Sequence, residues 1–230
     1  MTWTSVPVSD GSELELWVAR PEMPRAAAVI VLHEIRGVSA HIRDVAASLA
    51  AAGFVAIAPD LFHRTARRFA SEDPAAGLPH ARALTPEGCL ADLRTAHAWL
   101  AGDAQADASR VAAWGFCMGG RIAHRANVAL PLAASIAFYG GGLPDTPLRH
   151  ELERLHGATL LVWGGRDPHV TRDARRQLAD AIEAAGRPYV DVVFGEADHG
   201  FFRDRASSAS RQAWQLARTF LGEHLSAGPG

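Results

Sequence analysis

The sequence has few cysteines, no long apolar run and no marked excess of either charge. Its two cysteines, Cys89 and Cys117, are too few for a fold that depends on disulfides. No apolar stretch approaches the roughly 20 residues of a membrane-spanning helix. The formal net charge is −2 and the arginines are scattered, which disfavours binding to nucleic acid or to an anionic membrane. We therefore expect neither nucleic acid nor a membrane as a partner.

Sequence motifs for phosphate and metal binding are missing as well. The glycine run 140–142 has no Lys-Ser/Thr after it, and residues 115–120 do not match the G-x-G-x-x-G pattern. The histidines His33, His63 and His169 do not have the spacing of metal ligands relative to cysteine or acidic residues. We expect a protein that needs no cofactor and no metal.

The first residues lack the basic and apolar regions of a signal peptide, so we expect a cytoplasmic protein with reduced thiols. The chain has 230 residues, of which 48% are hydrophobic. This length and composition suit one domain over 1–230 with a sizeable core. The protein is expected to be a monomer or a small homo-oligomer.

Short apolar segments alternate with segments of helical periodicity along the chain. Strands are predicted over 2–8, 13–19, 26–32, 54–58, 111–114, 133–139, 159–163 and 189–194. Helices are predicted between the Ser39 cap and Gly53, from the Thr85 cap onward, after residue 120, over 171–185 and over 206–224. This alternation predicts an α/β fold, with a mostly parallel central sheet and helices on both of its faces. Ligands of such sheets bind beyond the carboxyl ends of the strands.

Three regions carry more specific expectations. The helix after Thr85 is predicted to bury a stripe formed by Leu90, Leu93, His97 and Leu100. Residues 61–84 are less regular and rich in Pro, Gly, Arg and His, so they are predicted to form a functional or mobile loop. The tail 226–230 is predicted to be disordered.

The hexapeptide 115–120, Gly-Phe-Cys-Met-Gly-Gly, lies between a predicted strand and a predicted helix. This is the context of a nucleophile elbow, with Cys117 in the place that serine usually takes. The sharp turn needs small residues two positions before and two after the nucleophile. The helix N-terminus favours a thiolate there. The alternative is a free cysteine packed in a glycine-rich turn.

Cys117, Asp167 and His199 follow each other in the chain order nucleophile, acid, histidine. Each of the three comes directly after a predicted strand, so all should lie at one edge of the sheet. A thiol attacks a carbonyl best as thiolate, an imidazole moves its proton, and a carboxylate holds the imidazole in the useful tautomer. Asp167 in a turn and His199 in a polar loop are the structural alternatives.

Several segments of the chain resemble the dienelactone hydrolase family, the carboxymethylenebutenolidases. The matching motifs are His33-Glu34-Ile35-Arg36-Gly37, Pro59-Asp60-Leu61-Phe62, the hexapeptide 115–120, Gly164-Gly165-Arg166-Asp167 and Asp198-His199-Gly200-Phe201. The combination of a cysteine elbow with an upstream glutamate, Glu34, is more specific than either feature alone. The resemblance implies the α/β-hydrolase fold and hydrolysis of a lactone or ester through an acyl-thioenzyme.

The resemblance also implies a role for Glu34 in activating the thiol. In the family a neutral thiol interacts with the glutamate until substrate binding lets the glutamate take the proton. Glu34 would then be the activating base, Cys117 the nucleophile, His199 the acid/base and Asp167 its orienting partner. The backbone N–H groups of Ile35 and Met118 would hold the oxyanion. The alternative for Glu34 is an ordinary surface acid.

Family substrates carry a carboxylate that arginines bind, and a planar guanidinium suits that task. Arg203, four residues after His199, matches one family arginine. The second lies in the loop before Thr85, where Arg82 is the nearest candidate and Arg67 and Arg68 are others. Tyr139 matches a pocket tyrosine, or it is a packed strand terminus. Cys89 is interpreted as structural.

Two rival functions remain open at this point. The first is a thiol esterase with the same mechanism that acts on an ester without a carboxylate. The second is a non-catalytic protein in which Cys117 is a redox-sensitive thiol.

Overall fold

The computed structural model describes residues 1–143 and 149–226. Eight strands run in chain order, namely β1 (Thr2–Pro7), β2 (Glu13–Ala19), β3 (Ala26–Leu32), β4 (Val55–Pro59), β5 (Ala106–Phe116), β6 (Ala134–Phe138), β7 (Ala158–Gly164) and β8 (Tyr189–Phe194). The helices are α1 (Ala40–Ala51), α2 (Pro74–Arg82), α3 (Pro86–Gly102), α4 (Met118–Ala129), α5 (Arg149–Leu152), α6 (Arg172–Ala184) and α7 (Ser208–His224), with a 3₁₀ turn over Phe201–Arg203. The tail predicted to be disordered lies outside the described residues from position 227 onward.

The strands form a sheet in the order β1-β2-β4-β3-β5-β6-β7-β8. Pairing is antiparallel for β1 with β2 and for β2 with β4. It is parallel for β3 with β4 and from β5 through to β8. Strands β3, β4, β6 and β7 are buried along their whole length, as expected for apolar strands covered on both faces. The predicted α/β fold with a mostly parallel sheet is confirmed.

The chain divides into two compact units, Met1–Val111 and Ala112–Gly230. The expectation of one domain over 1–230 stays a prediction. Within the part of the chain that the structure describes, no helix is both long and apolar enough to cross a membrane. In the same residues, no group of three or more His, Cys, Asp or Glu side chains could hold a metal ion.

The helix ends follow the predicted capping residues closely. Thr85 Oγ1 accepts a hydrogen bond from Gly88 N, and Thr171 Oγ1 accepts one from Ala174 N. Gly53 lies just after the C-cap of α1 with a φ of +95°. The last helix begins two residues later than predicted, because the 3₁₀ turn and a bend precede it. Local capping chemistry therefore sets the starts of α3 and α6, whereas Ser39 stands at the N-cap of α1 without a side-chain cap hydrogen bond.

The predicted buried stripe of α3 is partly wrong. Leu93 and Leu100 are buried, but Leu90 and His97 are only half-buried, and Asp92 is fully buried in their place. The Asp92 carboxylate accepts two hydrogen bonds from Arg64, both of 2.8 Å, and lies 3.1 Å from the His63 ring. Burial of a charge is tolerated when it is paired in this way. Helical periodicity alone could not show that pairing.

Residues 61–84 contain more regular structure than expected. Helix α2 begins after Asp73, whose carboxylate accepts a hydrogen bond from Ala75 N. A loop was predicted here because Gly77 and Pro79, which lie inside α2, are unfavourable residues in a helix. Gly77 is needed because a Cβ there would lie 2.9 Å from the Ile35 carbonyl carbon and nearer still to its oxygen. Tertiary packing on Ile35 thus overrides helix propensity.

Candidate active site

Cys117 is the single residue between β5 and α4, and its backbone is strained. Its φ is 53° and its ψ is −119°, in a region that residues other than glycine rarely adopt. The Cys117 N–H donates to the carbonyl oxygen of Phe138 on β6, at 3.0 Å. Such strain persists only where the surroundings enforce it, and it concentrates at functional sites. The turn therefore has the backbone expected of a nucleophile elbow.

The glycines around Cys117 allow backbone to pack on backbone. A Cβ at Gly115 would lie 2.7 Å from the Gly120 nitrogen and nearer still to the Gly119 carbonyl. A Cβ at Gly120 would lie 3.0 Å from Gly140 Cα. Glycine is thus required on steric grounds at 115 and favoured at 120. The predicted need for a small residue two positions before Cys117 is confirmed, and the same need at 119 stays a prediction.

Asp167 and His199 meet at the carboxyl ends of β7 and β8. Asp167 Oδ2 lies 2.8 Å from His199 Nδ1, and Asp167 Oδ1 accepts a hydrogen bond from His169 N at 2.8 Å. The Asp167 side chain is fully buried. Because a carboxylate only accepts, the Nδ1 of His199 carries the proton in this pair. The Nε2 of His199 is then the unprotonated ring nitrogen, which can accept a proton.

Glycines also bring the loops of Asp167 and His199 together. A Cβ at Gly164 would lie 2.5 Å from the Ala197 carbonyl oxygen, and one at Gly165 would lie 2.7 Å from Gly195 Cα. Arg166 N donates to Ala197 O at 2.9 Å. The Gly164-Gly165 pair therefore allows the close approach that the Asp167–His199 hydrogen bond requires.

Two aromatic side chains flank the His199 ring. Tyr139, fully buried at the end of β6, has its ring centroid 5.1 Å away, and His169 approaches edge-on at 4.9 Å. In the sequence His169 was weighed only as a metal ligand, and this contact was not predicted. Its position two residues after Asp167 is the signal that could have found it. These contacts restrict the orientations open to the imidazole.

Glu34, in the other unit, lies in the loop after β3 and is 3% exposed. Its Oε1 lies 3.9 Å from Arg36 Nη1. The alternative of a surface acid is therefore wrong. Ile35 follows in the same loop, and Met118 is the first residue of α4. The first N–H groups of a helix have no partner within the helix, which suits Met118 to bind an anion.

The structure separates the arginine candidates. Arg67 and Arg68 both pair with the carboxylate of Glu15, which is fully buried on β2. Arg82 is exposed at the end of α2, and Arg203 is half-buried at the end of the 3₁₀ turn. Arg82 and Arg203 remain the candidates for a substrate carboxylate. Cys89 is half-buried on α3, and its structural role stays a prediction.

The family model of the dienelactone hydrolase family matches residues 14–225. A Salmonella typhimurium protein named "Putative carboxymethylenebutenolidase" is 33% identical over 226 residues, which cover 92% of this chain and 83% of that protein. An Escherichia coli K12 protein of the same name is 31% identical over 227 residues, which cover 93% of this chain and 83% of that protein. The crystal structure of a "Putative Dienelactone Hydrolase" from Klebsiella pneumoniae superimposes with a TM-score of 0.87 at 30% identity, covering 96% of this chain and 98% of that one.

The family match and these relatives agree with the fold described above. The resemblance seen in the sequence motifs is confirmed over nearly the whole chain. The chain belongs to the dienelactone hydrolase family and is an α/β-hydrolase of that type.

Proposed function

We propose that the protein opens a lactone, or cleaves a carboxylic ester, with Cys117 as nucleophile, His199 as acid/base and Asp167 as its orienting partner. The observation that carries this proposal is the hydrogen bond between Asp167 and His199, in the unit that also holds the strained Cys117 turn. A carboxylate–imidazole pair and a nucleophile elbow are the groups that acyl transfer requires. The Asp167–His199 pair also argues against a non-catalytic redox thiol, because thiol oxidation needs no oriented imidazole.

In the first half of the reaction, the Cys117 thiol loses its proton, which reaches His199 Nε2, and the thiolate attacks the carbonyl carbon and forms a C–S bond. The tetrahedral intermediate collapses as the C–O bond to the alkoxide breaks, and His199 Nε2–H protonates the departing oxygen. In the second half, His199 takes a proton from water, the hydroxide displaces the thiolate from the acyl carbon, and His199 returns that proton to Cys117. A lactone gives one ring-opened hydroxy acid, and an ester gives an acid and an alcohol.

Glu34 is proposed to activate the thiol. A carboxylate beside a thiolate is unfavourable, so two such groups share one proton until a ligand separates them. The burial of Glu34 supports this role, because a carboxylate that is only 3% exposed is held in place by the protein around it. The backbone N–H groups of Ile35 and Met118 are proposed to stabilise the oxyanion.

The proposed substrate is a lactone that carries a carboxylate, in line with the carboxymethylenebutenolidase name of the relatives. Arg203 and Arg82 are the proposed partners of that carboxylate, and Tyr139 is proposed to line the pocket. A neutral ester as natural substrate is the second candidate. An Arg203→Gln variant separates the two, because it should raise KM for a carboxylated lactone and leave the turnover of neutral p-nitrophenyl acetate unchanged.

The experiment that tests the mechanism compares the wild-type protein with Cys117→Ala on a dienelactone and on p-nitrophenyl acetate. Loss of the nucleophile should lower kcat by at least about 10³-fold on both substrates. Cys89→Ala is the matched control and should keep wild-type turnover, because Cys89 lies outside the proposed machinery. Equal turnover by wild type and Cys117→Ala would refute Cys117 as nucleophile. Turnover of the neutral ester alone would refute the dienelactone assignment.

A further inference from the structure

His33 is fully buried directly after β3, and both of its ring nitrogens have a partner. Nε2 lies 3.0 Å from the backbone nitrogen of Leu61, and Nδ1 lies 2.7 Å from the carbonyl oxygen of Glu34. A backbone N–H can only donate, so Nε2 must accept. A carbonyl oxygen can only accept, so Nδ1 must carry the proton. The partners therefore fix one neutral tautomer, with the proton on Nδ1.

The hydrogen bond from His33 fixes a peptide group that the proposed mechanism uses. The Glu34 carbonyl and the Ile35 N–H belong to the same planar peptide, and no peptide bond in the described residues is cis. In a trans peptide the C=O and the N–H point in opposite directions. The Glu34 oxygen also accepts a hydrogen bond from Gly37 N at 3.0 Å. Two donors on the oxygen therefore determine where the Ile35 N–H points.

The surroundings of His33 leave this arrangement little freedom. The Phe62 ring packs edge-on against the His33 ring, with centroids 4.7 Å apart. Helix α2 packs against the Ile35 carbonyl group, where a Cβ at Gly77 would lie 2.9 Å from the carbonyl carbon. Burial lowers the pKa of His33 to about 4, so the ring stays neutral and Nε2 stays an acceptor at neutral pH.

We propose that His33 is a positioning residue, whose Nδ1–H holds the Glu34–Ile35 peptide so that the Ile35 N–H is preorganised as an oxyanion donor. This inference rests on the proposed function, in which Ile35 supplies that donor. Preorganised donors stabilise the charge that develops in the transition state and bind the ground state no better. His33 should consequently affect kcat much more than KM.

The test uses three variants and p-nitrophenyl acetate as the substrate. His33→Phe keeps a ring against Phe62 and removes both hydrogen bonds, and its kcat should fall about 10- to 100-fold with KM within twofold. His33→Gln can still donate and accept, and should recover at least half of that loss on a logarithmic scale. His124→Phe is the matched control, because His124 is 1% exposed and its ring nitrogens make no hydrogen bond. The control should keep kcat within about threefold of wild type.

A second measurement separates positioning from collapse of the site. In a Cys89→Ala background, iodoacetamide should alkylate Cys117 at the same rate with and without His33→Phe, because alkylation needs no oxyanion donor. The inference is overturned if His33→Phe keeps wild-type kcat, if kcat and alkylation fall together, or if His33→Gln is as slow as His33→Phe. Should Cys117→Ala retain turnover, the proposed function fails instead.

The tautomer can be measured in the wild-type protein, whether or not the variants fold. ¹⁵N NMR of the His33 ring at pH 7 should show a protonated Nδ1 and an unprotonated Nε2. A ring protonated on Nε2, alone or together with Nδ1, would overturn the inference, because Leu61 N–H could not then donate to it.

Discussion

Gly115→Ala tests whether backbone packing positions the proposed nucleophile. The added Cβ would lie 2.7 Å from the Gly120 nitrogen and nearer still to the Gly119 carbonyl, where real Cβ contacts essentially never fall below 3.0 Å. The obstacle is backbone in the first turn of α4, so no side chain can rotate away. We expect β5 and α4 to separate by about 1 Å, as overpacked sites do when they relax.

The size of the effect follows from that displacement. Overpacking costs about 1–3 kcal/mol, and rigid backbone on both sides favours the upper half of this range for the free energy of unfolding. A misplacement of about 1 Å in a catalytic group can lower the rate about 100-fold. Gly115→Ala should therefore lose about 2–3 kcal/mol of stability and about 100-fold or more in kcat/KM.

Urea unfolding measures the first quantity, and hydrolysis of p-nitrophenyl acetate measures the second. Gly222→Ala is the matched control, because Gly222 lies in α7 with nothing within 4 Å of an added Cβ. It should gain up to about 1 kcal/mol and leave the rate unchanged. If Gly115→Ala keeps wild-type stability and rate, the elbow does not depend on this contact.

Two further predictions concern ionisable groups. Asp167→Asn should lower kcat by about 10⁴-fold with little loss of stability, because an amide at this position can favour the wrong tautomer of His199; a loss below tenfold in steady-state assays would contradict this role. Burial lowers the pKa of His124 from 6.5 to about 4, so between these values the unfolded chain binds a proton that the native state excludes. Stability should rise with pH in that window by about 1.4 kcal/mol per pH unit from this residue alone. When urea unfolding is measured across this pH window, the free energy of unfolding of His124→Leu should rise less steeply with pH than that of wild type. An unchanged pH dependence would refute the assignment.

The sequence was sufficient to predict the elements that local chemistry determines. Apolar runs predicted β3 and β7 because both strands are covered on both faces, and the threonine caps predicted the starts of α3 and α6. The Gly-x-Cys-x-Gly pattern predicted the turn at Cys117 because the steric requirement is itself local. The pairing of Asp167 with His199 followed from chain order, since the ends of successive parallel strands meet at one edge of the sheet.

What the sequence did not predict depends on contacts between distant residues. Asp92 is buried only because Arg64 and His63 reach it from another segment. Helix α2 was not predicted, because Gly77 weakens the helical pattern of the sequence. Glycine is required at this position by its close contact with the Ile35 carbonyl. In the sequence His33 only lacks the spacing of a metal ligand. Its tautomer becomes evident from the positions of Leu61 N and Glu34 O in the structure. Such residues are recognisable only once their partners are in place.

The glycine contacts around Cys117 have a consequence for how the activity can diverge. The backbone of the turn is held by Gly115, Gly119, Gly120 and Gly140 and by the bond from Cys117 N to Phe138 O, none of which involves the side chain at 117. The atom proposed to react can therefore be exchanged, sulfur for oxygen, without rebuilding the scaffold. Selection can change the chemistry of the nucleophile and the shape of the substrate loops independently.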